Sequence, residues 1–446
     1  MTHLSVRRRF APALPALLLA AAGLAWAAAG NLDPSFGTGG VVVTPALGNA
    51  TIGLVVQADG KTVVCGSQAV GGVDPTGHQR SAWLVRRYNT DGTDDASFGT
   101  GGAVALFGDG FDGARRVAID ASGRLVIVGK TSVFVVGRRS VTATYYLTLV
   151  RLNANGSLDT SFGSSGVVRI LPPGSAGSTA GSNPAGGLVL QPDGSIVVAG
   201  QTWMVVDKKG TTIGYPFLAR YTAGGTVDAS FGSGGFSIDT RTAEDASPVA
   251  LARQSSGHHV LAQRRSSVTW VITRYLPSGA VDTAFAPILG SGDYVGGLAV
   301  DRFDRILATG RNTYANGQYD VLVSRYTSSG AADGSFGSGG RALVHSSYNQ
   351  NCWADPIFQL ADDKIVVGAN LVTSAGYGVA ATLRLLDDGS LDATYGTGGV
   401  GDSLDLGRGQ TSSSAVGFAP DGRIVHTGQA LGTNGWNWLL ARFDVN

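Results

Sequence analysis

Leu84-Val85-Arg86-Arg87-Tyr88-Asn89-Thr90-Asp91-Gly92-Thr93-Asp94-Asp95-Ala96-Ser97-Phe98-Gly99-Thr100-Gly101-Gly102 decides the reading of the whole chain, because its skeleton returns along it. The motif D-x-[ST]-[FY]-G-x-G-G recurs with drift around Phe36, Phe98, Phe162, Phe231, Phe285, Phe336 and Tyr395. L-x-R-[YLF] recurs at Arg87, Arg151, Arg220, Arg274, Arg325, Arg384 and Arg442. A third motif, Q-x-D-G-[KRS]-[ILT]-V-V-x-G, recurs at Gly60, Gly123, Gly194, Gly257, Asp304, Asp363 and Gly422. Seven copies of each define seven units of 51 to 69 residues. A fixed repeat of this length is the mark of an array of supersecondary units.

Spacing inside the unit is rigid on one side only. Arg87 precedes Asp95 by eight residues, and Arg151/Asp159, Arg220/Asp228, Arg274/Asp282, Arg325/Asp333 and Arg384/Asp392 keep that offset. A constant pair repeated around an array reads as architecture: a hydrogen-bonded ion pair holding the loop that carries the aromatic. The distances from D-G to the next Arg, and from the aromatic to the next D-G, vary freely.

Thr51 to Gln57, Thr62 to Gly66, Ala82 to Tyr88 and Gly102 to Phe107 are short, apolar or alternating, and rich in β-branched residues, so each reads as a strand. Asp59-Gly60 is a tight hairpin turn between the first two. Four antiparallel strands per unit, seven units and no 3.6-residue period predict an all-β chain, a seven-bladed β-propeller. Residues 28–446 form its single domain. Leu32 to Val43 begins in mid-unit, and Leu440 to Asn446 stops where that segment belongs. Val41 to Thr44 is therefore expected to complete the last blade as its outermost strand, leaving no open edge.

Leu32-Asp-Pro-Ser-Phe36-Gly-Thr-Gly-Gly40, Gln191-Pro-Asp-Gly-Ser-Ile-Val-Val-Ala-Gly200 and Leu218-Ala-Arg-Tyr221 resemble the delta-60 repeat family of exported bacterial proteins, over essentially all of residues 31–446. The resemblance implies a propeller-like array and brings no catalytic residue or ligand with it. Ala286-Pro287 and Asp301-Arg-Phe-Asp304 depart from the pattern, which predicts irregularity in the fourth and fifth units.

Residues 1–27 read as an export signal: Arg7 to Arg9 are a positive start, Phe10 to Leu24 an apolar run, and Ala25-Trp-Ala27 a small-x-small cleavage site. The expected location is the periplasm, the cell surface or the exterior, with no membrane span in the mature, monomeric chain. Glycine is abundant, 67 of 446 residues, and is read as turn-forming. Lys+Arg 33 against Asp+Glu 32 leaves no basic excess for nucleic acid. Cys65 and Cys352 fall on distant units, so no disulfide is expected; Cys65 reads as core and Cys352 as a loop residue. The histidines show no metal-ligand spacing, and glycine-rich cofactor fingerprints need a following helix that the pattern lacks, so no metal and no cofactor are expected.

Two function classes remain: a binding or scaffold protein for a protein or carbohydrate ligand, and a polysaccharide-acting lyase or hydrolase at the channel mouth. No unrepeated acid–base cluster stands out, so no catalytic residue is assigned. Strand order places the variable connections on one face: Gly71–Arg80, Val133–Thr144, Leu171–Ala185, Trp203–Pro216, Arg311–Tyr319 and His345–Asp355. Loops specialise where the scaffold tolerates change. The expected ligand-binding residues are Trp203, Tyr314 and Trp353.

Overall fold

The computed structural model describes residues 29–45, 51–138, 140–175, 186–241, 246–265, 269–291, 294–316, 318–345, 352–372, 376–406, 410–433 and 435–445. Residues 1–27, read from the sequence as an export signal, lie outside the described residues. Strands form wherever the alternating, β-branched pattern predicts them, and they assemble into seven antiparallel sheets. In blade 1, Thr51–Val56, Thr62–Val73, Gln79–Tyr88 and Ala103–Leu106 lie in that order. The first strands of successive blades pack on one another all the way round, including blade 7 against blade 1. They are therefore the innermost strands of a closed ring.

Closure uses the predicted strand. Val41–Thr44 pairs antiparallel with Gly435–Phe443, Val41 opposite Ala441 and Thr44 opposite Trp438. Leu32 adds a bridge to Phe443, and Gly396 N–H of blade 6 donates to Ala29 O. The fourth and fifth units, expected to be irregular, have four strands each. Ala286-Pro287 shortens the turn without preventing Ile288–Ser291 from pairing with Thr269–Tyr275. Asp304 takes the glycine place with a φ of 62°, inside the left-handed region that Asp tolerates. The least regular outer strand belongs to blade 6: Val400 bridges to Leu383, and Gly401 and Leu404 N–H donate to Thr382 and Ala380 O.

Apolar side chains fill the seams between blades. Cys65, Trp83, Val85 and Phe98 of blade 1 pack with Ala114, Leu125, Ile127 and Val150 of blade 2. Cys65 and Cys352 are both fully buried, on blades too far apart to pair with each other. Cys352 lies outside the strands, as its loop reading expects, but it is buried, just ahead of the innermost strand Trp353–Gln359. Burial pushes the Cys65 thiol up to about 12.

The final glycine of the V-V-x-G motif has a different role from the turn glycines. Six innermost strands carry a register shift near their starts, as between Ala114 and Arg116 or Val295 and Gly297. Each is a β-bulge, which turns the strand and re-aims a side chain. At Gly129 a Cβ would lie 2.2 Å from Gly113 O, and at Gly428 1.7 Å from Ser412 O. At these two positions a side chain would collide with the bulged strand, whereas blade 4 accommodates Gln263 at the equivalent place, opposite Pro248.

Candidate functional site

One face of the ring carries the first hairpin turns and the connections with the repeated Arg and Asp. In blade 1, Arg87 Nε donates to Asp95 Oδ2 at 2.7 Å and Nη2 to Ser97 Oγ at 3.2 Å. Its third nitrogen, Nη1, reaches Ala154 O of blade 2, and the guanidinium lies 4.7 Å over the Phe98 ring. Arg151/Asp159, Arg220/Asp228, Arg274/Asp282, Arg325/Asp333 and Arg384/Asp392 repeat the Nε bond at 2.7–2.8 Å. Each of these arginines also donates to a carbonyl of the following blade. The seventh clasp joins Arg442 to Asp33, 409 positions apart, at 2.6 Å. That pair is split between the two ends of the chain, so counting eight residues forward from Arg442 cannot find it. Gly156 of blade 2, with a φ of 88°, presses on the Phe98 ring, which locks the aromatic into the seam.

Burial works to raise the Asp95 pKa, but hydrogen bonds from Ser97 and Lys61 and the charge of Arg87 outweigh it and hold the carboxyl well below its usual value. Asp33, Asp159, Asp228, Asp282, Asp333 and Asp392 are lowered too. Their contribution to stability is complete above the ordinary Asp value of 3.8 and is lost as pH falls through the folded values. His259 and His426 act earlier. Burial lowers both from 6.5 to about 4, so the unfolded chain takes up their protons first and stability falls between those values. The melting temperature is expected to be flat above about pH 6.5, to decline gently toward pH 4, and to drop steeply below it. His259→Phe should about halve the slope of the gentle limb, His426 supplying the rest, and leave the steep one, as read by melting at a series of pH values.

The opposite face carries the second hairpins and the crossovers between blades. Gly71–Arg80, Val133–Thr144 and Trp203–Pro216, expected as loops, are mostly continued strand pairs. Leu125–Val136 and Val141–Leu152 stay in register from Leu125↔Leu152 to Val136↔Val141. Ile196–Val205 pairs with Thr212–Tyr221 out to Val205↔Thr212. The β-branched content of Val133 to Val136 and Val141 to Thr144 sustains pairing beyond the ring, and length variation alone concealed it. Residues 176–185 and 346–351 of two further variable segments lie outside the described residues.

Trp203, Tyr314 and Trp353 stand on blades 3, 5 and 6. Trp203 is half-buried near the outer end of its strand, with its indole Nε1 buried and without an acceptor. Trp353 opens the innermost strand of blade 6 opposite Asn370. Tyr314 OH donates to Asp320 Oδ2, which His345 Nδ1 also approaches at 2.8 Å, and the His345 ring stacks on Tyr314 at 6.2 Å. Beside this cluster, the Tyr294 ring lies between Arg264 and Arg311, at 4.7 and 5.6 Å, and Arg311 also covers Tyr319 at 4.2 Å. A third group, Asp74, Asp112, Lys130 and Ser132, occupies the seam of blades 1 and 2. Sequence reasoning misses the Arg–Tyr stack and the Lys130 group because their members come from separate strands. Among the described residues no three His, Cys, Asp or Glu side chains gather as metal ligands, and no helix is long and apolar enough to cross a membrane.

Residues 57–98, 121–162, 191–231 and 360–395 match a family model described as a domain of unknown function (DUF5122) beta-propeller. Each match runs from a first hairpin turn to the aromatic of the clasp, in blades 1, 2, 3 and 6. No curated protein matches the chain. Among solved structures, similar folds include a protein of unknown function from Dyadobacter fermentans, 12% identical, covering 77% of this chain and 98% of that one with a TM-score of 0.46. An ulvan lyase is 10% identical over 91% of this chain and 96% of its own, with a TM-score of 0.49. The NanB sialidase from Streptococcus pneumoniae is 12% identical over 90% and 69%, with a TM-score of 0.42. The chain is a beta-propeller-repeat protein carrying the repeat that this family model describes.

Proposed function

We propose that the chain is an exported binding or scaffold propeller of the delta-60 type, acting in the periplasm, at the cell surface or outside the cell. Its ligand or partner is taken on the face of the long hairpins. The observation that carries this reading is the asymmetry between the two faces. On the clasp face the Arg–Asp bond and a bond to a carbonyl of the next blade are made seven times, and six of the seven add a Ser or Thr hydroxyl, so this repeated chemistry holds blades together. On the hairpin face, unrepeated groups with aromatic and cationic side chains stand part-exposed, and the hairpins differ in length from blade to blade. Unrepeated chemistry on a rigid scaffold is what selective recognition requires.

The test is a pull-down from envelope and extracellular material with the full mature chain and its variants. Trp203→Ala, Tyr314→Ala and Trp353→Ala should weaken capture several-fold with melting unchanged. Asp91→Ala and Asp421→Ala, in turns of the clasp face, should capture as the parent does. Binding that follows Asp91 or Asp421 instead would overturn the assignment of the face.

The catalytic alternative has one observation in its favour, the Tyr314–Asp320–His345 cluster, which holds a hydroxyl, a carboxylate and an imidazole within bonding reach. Loss of polysaccharide on incubation, abolished by Asp320→Asn, would favour a lyase or hydrolase over a binding protein.

A further inference from the structure

Two guanidinium groups with unspent donors stand together where blades 4 and 5 meet on the hairpin face. Arg264 ends the second strand of blade 4, His259–Arg264, and Tyr294 opens the innermost strand of blade 5, Tyr294–Val300. Arg311 lies opposite Tyr294 in Ile306–Thr313, and Tyr319 opens the next strand opposite Thr313, one diagonal step from Arg311. This register sets the Arg311 guanidinium 4.2 Å from the centre of the Tyr319 ring and 5.6 Å from that of Tyr294. Arg264 comes to the Tyr294 ring at 4.7 Å and donates to its hydroxyl at 3.2 Å, the one hydrogen bond of its side chain. The Arg311 side chain makes none, and its Nε is buried without an acceptor. Neither arginine has a carboxylate partner among the described residues, whereas each clasp arginine has one. Arg264 is exposed and Arg311 partly so, which leaves both within reach of solvent.

A guanidinium held against a ring keeps its edge for other partners, and that edge is a fork of donors matched to the oxygens of a carboxylate or sulfate. The rings restrict the side chain beforehand, so less rotamer freedom is lost on binding. Nearby acids are already engaged: Asp239 by Arg241 at 2.7 Å, and Asp320 by Tyr314 and His345. The surroundings separate the possible partners. Among the described residues, the hairpins of blades 1 to 3 carry exposed valines, such as Val73, Val135, Val136 and Val205, while those of blades 4 and 5 carry no exposed large aliphatic side chain. A protein interface needs an apolar centre. Here cations, tyrosine hydroxyls and ring edges stand in its place.

We infer that Arg264 and Arg311 form an open oxyanion-binding surface for an acidic glycan, whose uronic-acid carboxylates or sulfate esters accept from the free edges of the two guanidiniums. This rests on the binding role proposed above and adds the charge of the ligand to it. The surface lies in solvent rather than in a pocket, so its attraction is screened by salt and binding should weaken as ionic strength rises.

The experiment uses the full mature chain on an array of uronic-acid, sulfated and neutral oligosaccharides. The strongest binder is then titrated calorimetrically beside its neutral counterpart, methyl-esterified or desulfated, which also tells carboxylate from sulfate. The neutral counterpart should bind at least about tenfold more weakly. Arg264→Ala and Arg311→Ala should each weaken the acidic sugar about tenfold, and Arg311→Lys, which keeps the charge and loses the fork, should fall between. Arg302→Ala removes the same charge from an exposed turn of the clasp face and should bind as the parent does. Melting should stay close to the parent's in every variant, since neither Arg264 nor Arg311 belongs to a clasp. An acidic sugar bound equally by the parent and both alanine variants, or no better than its neutral counterpart, overturns the oxyanion surface; the hairpin face stands if Trp203→Ala still weakens that sugar. Absence of any oligosaccharide binding overturns the glycan, and a protein captured in the pull-down and weakened by Trp203→Ala would then still uphold the face.

Discussion

Deleting residues 31–45 should leave a chain that no longer melts cooperatively and that runs as oligomers on size exclusion. The deletion removes Val41–Thr44 from the edge of blade 7, baring the backbone of Gly435–Phe443 from Trp438 to Ala441. Such an exposed edge is a template for pairing with another chain. It also takes away Asp33, the partner of Arg442, whose Nη1 continues to Thr90 O on blade 1. Phe36 leaves as well, and it is 1% exposed against Val64, Leu84 and Tyr88 of blade 1. One deletion thus opens the sheet edge, the clasp and the apolar seam at the same joint. A truncated monomer that melts cooperatively at the parent's temperature would show that the ring does not depend on this strand.

Arg325→Ala should be the most damaging single substitution in the clasps, on the order of 3–5 kcal/mol, the usual cost of breaking a buried pair. The Arg325 side chain is 1% exposed. It donates to Asp333 at 2.7 Å, to Ser335 at 3.0 Å and to the Asp387 carbonyl at 2.5 Å, and covers Phe336 at 4.7 Å. Its loss strands Asp333 and frees the joint between blades 5 and 6. Arg325→Lys keeps the charge but not the fork, so it should fall between the parent and the alanine variant. Arg311→Ala is the comparison. Arg311 makes only ring contacts, with Tyr294 and Tyr319, so about 0.5–1 kcal/mol is expected. Denaturant midpoints measure both, and equal shifts would show that the repeated arginine decorates the surface rather than joining blades.

Both expectations trace back to features legible in the amino-acid sequence. Constant offsets, such as Arg87 to Asp95, can be read because both partners lie on one connection, and local geometry repeats when local sequence does. What those pairs accomplish cannot be read there. The bond from Arg87 to Ala154 O links residues 67 apart, and nothing in either segment names the other. The hairpin at Val133 to Thr144 is legible in principle, since β-branched residues face one another along it, but variable length makes it look like a loop. Asp74, Lys130 and Phe111 are no more legible as neighbours. They come from a turn, a strand and a crossover in two blades, each ordinary on its own.

The sequence by itself determined the number of blades, the order of strands within each, and the strand that closes the ring. These follow from local alternation, turn residues and repeat phase, which are properties of short segments. Tertiary structure alone decided which side chains meet across seams, and so where the unsatisfied chemistry lies. A blade edge meets its neighbour through residues dozens of positions apart, and the distance between two such groups is fixed by the packing of whole sheets. That is why six clasps can be counted from the constant offset, while the bonds they make to the next blade cannot.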